Sequence, residues 1–422
     1  MKSLIKSPFS KIHYGWIVIF TALMANIGSH GFSRMAYTLV LPEMMEGLNL
    51  SYTQAGLLGT GNFAGYLISA VIGGLLASRY GSRIVISFSM LLIGISMILT
   101  GMAQTFETAL LLRFLTGLGN GGVFVPALSL GSAWFDSKRR GFAMGIVAGG
   151  AGMGIMLSGI IVPKILFAYN AQGWSYAWFY MGIIVLAICG LCFLLLRNNP
   201  EEMGLQPVGS TTCSISAEPL SEVTPPMKWD QVYKIKEIRY LGIVYFVNGF
   251  TYVIYMTFFK AFLTAEVGLT EMQAAAMWTL AGSISIFSAA MWGSISDRLG
   301  RKHALALVFL NFALSFLIFA LFNSLLPLYI SVVFFGTSLG AIPTIMGASA
   351  GDYVGPRLAP AAFGFITLFF AFGQVLGPAF GGYLTDLTGS FRPSLMAAAA
   401  VALAGAFGSL LLKKPAAKSE TG

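Results

Sequence analysis

Charge is scarce in this sequence. Only 10% of the residues are Asp, Glu, Lys or Arg, whereas 56% are hydrophobic, and soluble domains are about 25% charged. A soluble protein with this composition would have too little polar surface to cover its core, so the composition excludes a soluble globular domain. The apolar stretches are as long as the roughly 20 residues with which a helix crosses about 30 Å of hydrocarbon. The alternating segments of about ten residues that are typical of a membrane β-barrel are absent. We therefore predict an all-α integral membrane protein.

Residues for metal, redox or nucleotide chemistry are equally scarce. The chain has three His and three Cys residues, without the spacing of a metal site or a disulfide framework. The glycine-rich run at 149–154 has neither a strand before it nor a Lys-Ser or Lys-Thr pair after it, so it is not a phosphate loop. We interpret it as a site of close helix packing, and we expect no enzyme activity, no metal and no cofactor.

Twelve hydrophobic segments are long enough to span a membrane as helices. We place them at 14–42, 53–77, 84–104, 107–133, 141–166, 174–196, 238–263, 271–295, 303–322, 325–349, 360–385 and 393–412. The polar, proline-containing stretch from Asn198 to about Lys236 indicates a linker. The predicted organisation is an N-terminal six-helix bundle at 1–197, a cytoplasmic linker at 198–236 and a C-terminal six-helix bundle at 237–422.

The basic residues lie mainly on one side of the predicted membrane. Of the 25 Lys and Arg residues, all except Arg34, Arg113, Lys164, Lys260 and Arg392 fall on the side of the two termini. Lys and Arg are enriched in cytoplasmic loops, so we predict cytoplasmic termini and a location in the inner (plasma) membrane of the cell. This distribution accounts for the net charge of +9 without nucleic acid as a partner. The expected partners are the lipid bilayer and a small-molecule substrate, and we expect a monomer.

The two halves of the sequence repeat each other. The second segment is followed by Gly74-x-x-x-Ser78-Arg79-x-Gly81-Ser82-Arg83, and the eighth by Gly293-x-x-x-Asp297-Arg298-x-Gly300-Arg301-Lys302, at an offset of 219 residues. The same offset maps Gln54 onto Gln273 and Gly154 onto Gly373. A constant offset across several helices indicates internal duplication, and two six-helix repeats around a central site are a transporter architecture.

These two loops resemble the signature loop of the major facilitator superfamily. The second copy matches its Gly-x-x-x-Asp-Arg-x-Gly-Arg-Lys pattern fully, whereas the first has Ser78 in place of the acid and Ser82 in place of an Arg. The resemblance implies that Asp297, with Arg298 and Arg301, latches the cytoplasmic face in the outward-open state, and that the first loop latches more weakly or differently. The predicted cytoplasmic gate consists of Arg79, Gly81, Arg83, Gly293, Asp297, Arg298, Gly300 and Arg301. Anchoring by the positive-inside rule alone is the alternative.

Other stretches indicate which branches of the superfamily the sequence resembles. The run 113–121 is similar to the superfamily's Arg-x-x-x-Gly-x-Gly-x-Gly motif, which implies a role for Arg113 in proton coupling. The run 31–42 resembles the YbfB-like branch, and 199–207 resembles a stretch of organic-anion and monocarboxylate carriers. Monocarboxylate and oxalate carriers typically have an arginine in the eighth helix, which this chain lacks between Ala275 and Ile295. The fifth helix lacks the Gly-Pro pair typical of drug/proton antiporters.

Acidic residues are absent from the centres of the predicted spans. The 16 Asp and Glu residues fall in loops, in the linker or at helix ends. In contrast, Arg34, Arg113 and Lys260 belong to the first, fourth and seventh helices, which line the central cavity in this superfamily. A cation at the centre of a membrane helix costs about 2.5–3.5 kcal/mol. Cations without central carboxylates favour an anionic substrate.

Arg34 is the centre of the predicted site. Its guanidinium can bind a carboxylate through two hydrogen bonds, and His30 at i−4 and Tyr37 at i+3 share its helix face. The predicted substrate-binding residues are His30, Arg34, Tyr37, Arg113, Asn248, Tyr252, Tyr255, Lys260, Trp278 and Gln374. For proton coupling the candidates are His30 and Arg113. Each of these roles has an alternative. The cations can extend to the outer interface, His30 can be a hydrogen-bonded structural residue, and the tyrosines can form an interfacial belt.

The sequence as a whole predicts a secondary transporter that works by alternating access. We expect proton-coupled uptake of a small organic anion of the carboxylate class. Two alternatives stay open, which are efflux of drugs or metabolites and anion exchange without proton coupling.

Overall fold

The structure is a computed structural model that describes residues 13–136, 139–210, 229–355 and 358–413. Twelve long helices follow one another along this part of the chain. We number them α1 to α12, with the bounds Tyr14–Leu48, Tyr52–Tyr80, Ser82–Thr100, Phe106–Trp134, Arg140–Tyr169, Gly173–Leu195, Lys236–Glu266, Glu271–Leu299, Arg301–Leu321, Leu325–Val354, Ala359–Thr388 and Arg392–Leu410. A 3₁₀ turn at Pro200–Met203 follows α6, and a short helix at Trp229–Lys234 precedes α7.

Length and hydropathy support a membrane location for these helices. Ten continuous helical stretches are long and apolar enough to span a membrane, and the bent pair that forms α2, with 43° between its parts, makes eleven. The stretch Arg140–Leu195 contains both α5 and α6, so the described helices amount to twelve. The predicted all-α fold with twelve spans is confirmed. The first span is longer than predicted, because α1 continues through Pro42 to Leu48, and packed membrane helices tolerate an internal proline.

Part of the topology prediction lies outside the described residues. The basic residues of 1–12, 137–138, 211–228, 356–357 and 414–422 are among those not described, as is the part of the linker that contains Cys213. The cytoplasmic termini and the domain boundaries therefore stay predictions. We call the end of the bundle where the described chain begins and ends the terminal side, and the opposite end the far side.

The internal repeat is visible in matched local structure. Ser51 and Gln54 form a capping box at the start of α2, and the residues 219 positions later form the same box at the start of α8. A capping box satisfies N–H groups that the first turn of a helix leaves unpaired. At the terminal-side ends of the same two helices, Gly81 and Gly300 both have φ of +85°, a conformation that glycine adopts readily. The two loops of the repeat thus share one backbone geometry.

Each half packs as a bundle, and three helix pairs join the halves. In the N-terminal half (α1–α6), α2 packs against α4, and α3 packs against α4 and α6. In the C-terminal half (α7–α12), α7 packs against α11, α8 against α10 and α9 against α12. Between the halves, α2 packs against α11, α5 against α8 and α1 against α7. These three pairs surround the region where the buried cations lie.

Glycines bring α5 close to its neighbours on two faces. Gly154 of α5 and Gly31 of α1 meet backbone to backbone, so neither position has space for a side chain. On another face, a Cβ placed on Gly152 would lie 2.6 Å from Ser285 Oγ of α8. Small residues let membrane helices approach closely. These contacts support the interpretation of the run 149–154 as a packing motif.

The same helix shows that the two halves separate toward the terminal side. Gly145, Gly152 and Gly159 are seven residues apart, so they lie on nearly the same face of α5. Gly159 contacts Thr279 of α8 and Gly152 contacts Ser285, but a Cβ on Gly145 would meet nothing within 4 Å. Since Gly145 is nearest the terminal side, α5 and α8 diverge in that direction.

The contact between α2 and α11 follows the same pattern. On the far side, Gly56 of α2 packs on the Pro378 backbone of α11, and Gly382 of α11 packs on the Tyr52 backbone. Gly364, in the terminal-side part of α11, has open space around its Cβ position. Within the described residues, the two halves are therefore in contact on the far side and separated on the terminal side.

Valine substitutions at two glycines test this packing. Gly154→Val places methyl groups against the Gly31 backbone, and overpacking of this kind costs about 1–3 kcal/mol, so the midpoint of thermal unfolding in detergent should fall. Gly145→Val extends into open space, so its midpoint should stay close to that of the unmodified protein. An equal loss of stability in the two variants would contradict the described packing.

Candidate functional site

The centre of α1 is a π-helical segment that forms hydrogen bonds with side chains of α4. Ile27–Met35 is π-helical, a geometry that is rare and often found at functional sites. Arg113 Nη1 donates a hydrogen bond of 2.7 Å to the Ser33 carbonyl oxygen, and Ser33 Oγ donates one of 2.8 Å to Asn120 Oδ1. The backbone of α1 beside Arg34 is therefore fixed by buried polar contacts with the fourth helix.

Arg34 lies enclosed in the middle of the molecule. Its guanidinium carbon is 4.3 Å from the ring centre of Phe63 and 4.5 Å from that of Tyr66, both on α2. The residue is 6% exposed, and its Nε and Nη2 atoms are buried without a hydrogen-bond partner. The alternative that Arg34 extends to the membrane interface does not agree with this position. A buried, unsatisfied guanidinium between aromatic rings is suited to bind an anion.

The π-helical segment changes the predicted arrangement around Arg34. His30 contacts the same Tyr66 ring, with 5.8 Å between ring centres, and its Nδ1 is 2.9 Å from Ser29 Oγ. Tyr37 instead donates its hydroxyl to the Ala55 carbonyl oxygen at 2.7 Å. In this structure His30 and Tyr37 thus have different partners, and the prediction that His30, Arg34 and Tyr37 share one helix face stays a prediction.

Arg113 is buried beside the same site. It is 1% exposed, and its guanidinium carbon is 4.7 Å from the ring centre of Tyr37 and 4.8 Å from that of Trp178 on α6. Its Nε atom is buried without a hydrogen-bond partner. A small cavity of about 10 Å³ has Arg34, Tyr37 and Arg113 among its lining residues, which is space for about one water molecule. The structure therefore brings these three predicted residues together.

The C-terminal half contributes a polar group opposite Arg34. Gln374 of α11 donates a hydrogen bond to the Tyr252 hydroxyl of α7, and the other amide atom, Oε1, has no partner. Asn248, one turn before Tyr252, is also buried with its Oδ1 unpartnered. Tyr252 lies within electrostatic range of Arg34 and Tyr66. Unpaired buried polar atoms are costly, so atoms of this kind on both halves point to a shared binding site.

Two predicted members of the site face elsewhere. Tyr255 is fully buried inside the C-terminal half, with its hydroxyl 3.1 Å from Ser331 Oγ and its ring 4.4 Å from that of Phe335. Trp278 packs on Phe259, with 5.2 Å between ring centres. Aromatic packing of this kind stabilises the bundle. In this structure neither side chain is among those that line the cavity beside Arg34, and their role in substrate binding stays a prediction.

The ammonium group of Lys260 already has partners in this structure. It forms an ion pair and hydrogen bond with Glu43 of α1, donates a hydrogen bond of 2.9 Å to the Leu39 carbonyl oxygen, and lies 3.6 Å from Glu271. Glu43 escaped the sequence prediction because the first span was ended at position 42. With its charge paired, Lys260 joins α1 to α7 across the two halves in this structure, and its role in substrate binding stays a prediction.

A second charged contact closes the far side. Asp386, near the end of α11, accepts hydrogen bonds from the backbone N–H groups of Tyr52 (3.0 Å) and Thr53 (2.7 Å) at the start of α2. A carboxylate at this position pairs with N–H groups that lack helical partners and with the positive end of the helix dipole. We call Lys260–Glu43 and Asp386–α2 the far-side clamps.

The predicted cytoplasmic gate makes contacts within each half in this structure. Arg301 donates hydrogen bonds to Asp297 (2.6 Å) and Asp352 (2.9 Å), which ties α8, α9 and α10 together. In the first loop, Arg83 donates to the Phe193 carbonyl oxygen at 2.7 Å, and its backbone N–H donates to Asn198 at 2.9 Å. The two loops differ, as Ser78 and Ser82 suggest. A latch between the halves belongs to a state in which the terminal side is closed.

Residues of α2 were missed by the sequence reasoning. Phe63 and Tyr66 contact Arg34, and Asn62 donates a hydrogen bond of 3.2 Å to the Arg113 carbonyl oxygen. One signal was available, since Asn62 and Tyr66 lie one turn apart in an otherwise apolar helix. It was not decisive, because a tyrosine in a membrane helix equally suits an interfacial belt.

A family model described as the uncharacterised MFS-type transporter YbfB matches residues 27–410. The probable sulfoacetate transporter SauU of Cupriavidus necator is 25% identical over 398 residues, which cover 90% of this chain and 89% of that protein. Monocarboxylate transporter 2 of Homo sapiens is 24% identical, over 93% of this chain and 84% of its own length. The hexuronate transporter of Bacillus subtilis is 24% identical, over 88% of each chain.

Solved structures share the fold at lower identity. A bacterial homologue of the human lysosomal transporter Spinster, in an inward-facing and unoccupied conformation, superposes with a TM-score of 0.78 at 19% identity, over 94% of this chain and 97% of that chain. The nucleoside transporter NupG superposes with a TM-score of 0.72 at 13% identity, over 95% and 99%. These likenesses establish that the architecture of twelve helices in two repeats is that of known transporters.

Weakening a far-side clamp should open the far side. Asp386→Ala removes the carboxylate that accepts hydrogen bonds from the first turn of α2, while the capping box of Ser51 and Gln54 remains. The loss of a side chain that pairs with such N–H groups costs about 0.5–2 kcal/mol, which corresponds to a shift of about 2- to 30-fold toward the far-side-open state. Spin labels on Gln104 and Ser324, two exposed far-side residues on opposite halves, should report a larger population at long distance. Asp352→Ala is the matched control, because Asp352 pairs within one half. Identical distance distributions in the two variants would contradict the role of the clamp.

Proposed function

The chain belongs to the YbfB-like family of the major facilitator superfamily, and from this membership we propose that it carries out proton-coupled uptake of a small organic anion of the carboxylate class. That it is a membrane transporter of a small molecule, and not an enzyme, follows from the family and from its relatives. We place it in the inner membrane, with the terminal side toward the cytoplasm, because Lys and Arg are concentrated on that side.

One observation supports the anionic substrate above all others. Arg34 is buried between the two halves with two nitrogen atoms unpartnered, and none of the ion pairs among the described residues includes it. An unpaired cation in a low-dielectric interior is stabilised when an anion arrives. The relatives named for sulfoacetate, monocarboxylates and hexuronate agree with this class of substrate.

The surroundings of Arg34 suggest how the anion is held and moved. Tyr66 of the N-terminal half contacts the guanidinium, and Met256 and Thr257 of the C-terminal half line the same cavity, so a bound anion would contact helices that move relative to each other during alternating access. The open terminal side gives one route to the site, and release of the far-side clamps gives the other. A transporter binds its substrate near the middle of the membrane and rocks its two halves around that site.

Proton coupling is assigned to His30. It is buried and meets Tyr66, the same residue that contacts Arg34, and histidine is the side chain whose unperturbed titration lies nearest neutral pH. Arg113 is proposed to support this step indirectly, because it holds the Ser33 carbonyl group of the segment that carries both residues. Anion exchange without protons is the outcome if His30 is a structural residue.

Substitution of Arg34 tests the anion site. Arg34→Ala removes hydrogen bonds to a charged group, each worth about 1.5–3 kcal/mol, so binding of the transported anion to the purified protein should weaken by at least about tenfold. Arg34→Lys keeps the charge but loses the two-pronged geometry and should give intermediate affinity. Lys164→Ala, on an exposed part of α5, is the matched control and should bind normally. Unchanged binding by Arg34→Ala, or transport of neutral compounds only, would favour the efflux alternative.

Substitution of His30 tests the coupling. His30→Gln retains a side chain that can hydrogen-bond Ser29 but cannot carry a proton, so exchange of labelled for unlabelled substrate should continue in proteoliposomes. Accumulation driven by an imposed pH gradient should be lost. The matched control is His303→Gln at the exposed start of α9, which should accumulate substrate normally. Substrate uptake by the unmodified protein that does not respond to the pH gradient would show exchange or facilitation instead.

A further inference from the structure

Two buried arginines line one small cavity between the halves. Arg34 from α1 and Arg113 from α4 both reach the cavity that Asn62, Met256 and Thr257 also line. Arg113 lies within electrostatic range of Arg34. Three of their nitrogen atoms, Arg34 Nε, Arg34 Nη2 and Arg113 Nε, are buried and have no hydrogen-bond partner. The site thus offers donors from two separate guanidinium groups.

Neither arginine has a carboxylate partner in the described part of the chain. The ion pairs found there involve Lys260, Arg301 and Arg392. The partners of Arg34 and Arg113 are aromatic rings, the Tyr66 hydroxyl group and one backbone carbonyl group. Rings and carbonyl groups attract a cation but carry no net negative charge. The two arginines therefore give the cavity a formal charge of +2. Like charges repel each other most strongly where the dielectric constant is low.

The charge of the cavity distinguishes monoanionic from dianionic substrates, and the proposed function leaves that choice open. A monoanion on Arg34 would leave Arg113 uncompensated beside it, whereas an anion with two charged groups neutralises both. We propose that the substrate is a small dianion, a dicarboxylate or a sulfocarboxylate, with one anionic group bound by Arg34 and the other by Arg113. This inference rests on the proposed function, because it extends the same anion site.

The cavity geometry supports this assignment of roles. Arg113 keeps Nη1 on the Ser33 carbonyl oxygen, and its Nε is buried without a hydrogen-bond partner, while Arg34 has Nε and Nη2 unpartnered on one edge of its guanidinium group. Arg34 can thus bind one anionic group through two hydrogen bonds, and Arg113 offers a second positive charge beside it. In this state the cavity has space for about one water molecule, so a substrate must displace lining side chains. Met35 and Met256 line it, and methionine side chains are flexible.

Matched ligands distinguish a dianion site from a monoanion site. Dissociation constants of the purified full-length protein should be measured at one pH and ionic strength for malonate and sulfoacetate, for acetate and methanesulfonate, and for the neutral diamide malonamide. We expect the two dianions to bind at least about tenfold more tightly than the two monoanions, and malonamide not to bind. Arg113→Gln should reduce this preference to less than about threefold, because it weakens the two dianions more than the two monoanions, whereas Arg34→Gln should weaken all four anions.

The outcomes separate this inference from the proposed function. Equal binding of monoanions and dianions by the unmodified protein would overturn the dianion proposal and leave the organic-anion function standing. Binding of malonamide alone would overturn both. The comparison of monoanion with dianion binding by the unmodified protein tests the dianion proposal even if Arg113→Gln fails to fold. In a folded Arg113→Gln variant, an undiminished preference for dianions would contradict the role of Arg113.

Discussion

The Arg34 guanidinium group, which is buried without a carboxylate partner among the described residues, is the central physical constraint on this structure. The cost of such a charge in a membrane interior is several kcal/mol, and the residues around Arg34 reduce it without cancelling it. Phe63 and Tyr66 place ring faces beside the cation, which supplies attraction but no counter-charge. In the proposed function, the part of this cost that remains favours the binding of an anion between the two halves, where binding can influence their relative position.

The rest of the fold positions this charge and controls access to it. The π-helical segment, the Arg113 contact with Ser33 and the close packing of Gly31 on Gly154 fix the backbone next to Arg34. The far-side clamps and the glycine contacts of α2 and α5 hold one side closed, while the other side is open. Since both clamps join opposite halves, they and the glycine contacts between the halves must separate before the far side can open.

Composition and periodicity were sufficient to predict the membrane class, the twelve spans and the duplication, because long apolar runs and a constant repeat offset are local properties of the sequence. Arg34 was found because a charge in such a run is conspicuous. The π register was not predictable, since it depends on contacts from α4 and α5. Pro42 was taken as a helix end, although packed membrane helices accommodate proline, and Glu43 was therefore missed as the partner of Lys260. The packing of Tyr255 and Trp278 inside the C-terminal half was not predictable, because sequence does not show which face of an aromatic-rich helix meets its own half.

The position of a bound anion tests the central claim most directly. An experimental structure of the full-length protein with sulfoacetate should show the ligand between the halves, with oxygen atoms within hydrogen-bond distance of Arg34. The second charged group should lie toward Arg113. Ligand density outside the space bounded by Arg34, Tyr66, Tyr252 and Gln374, with the Arg34 guanidinium still unpartnered, would contradict the account.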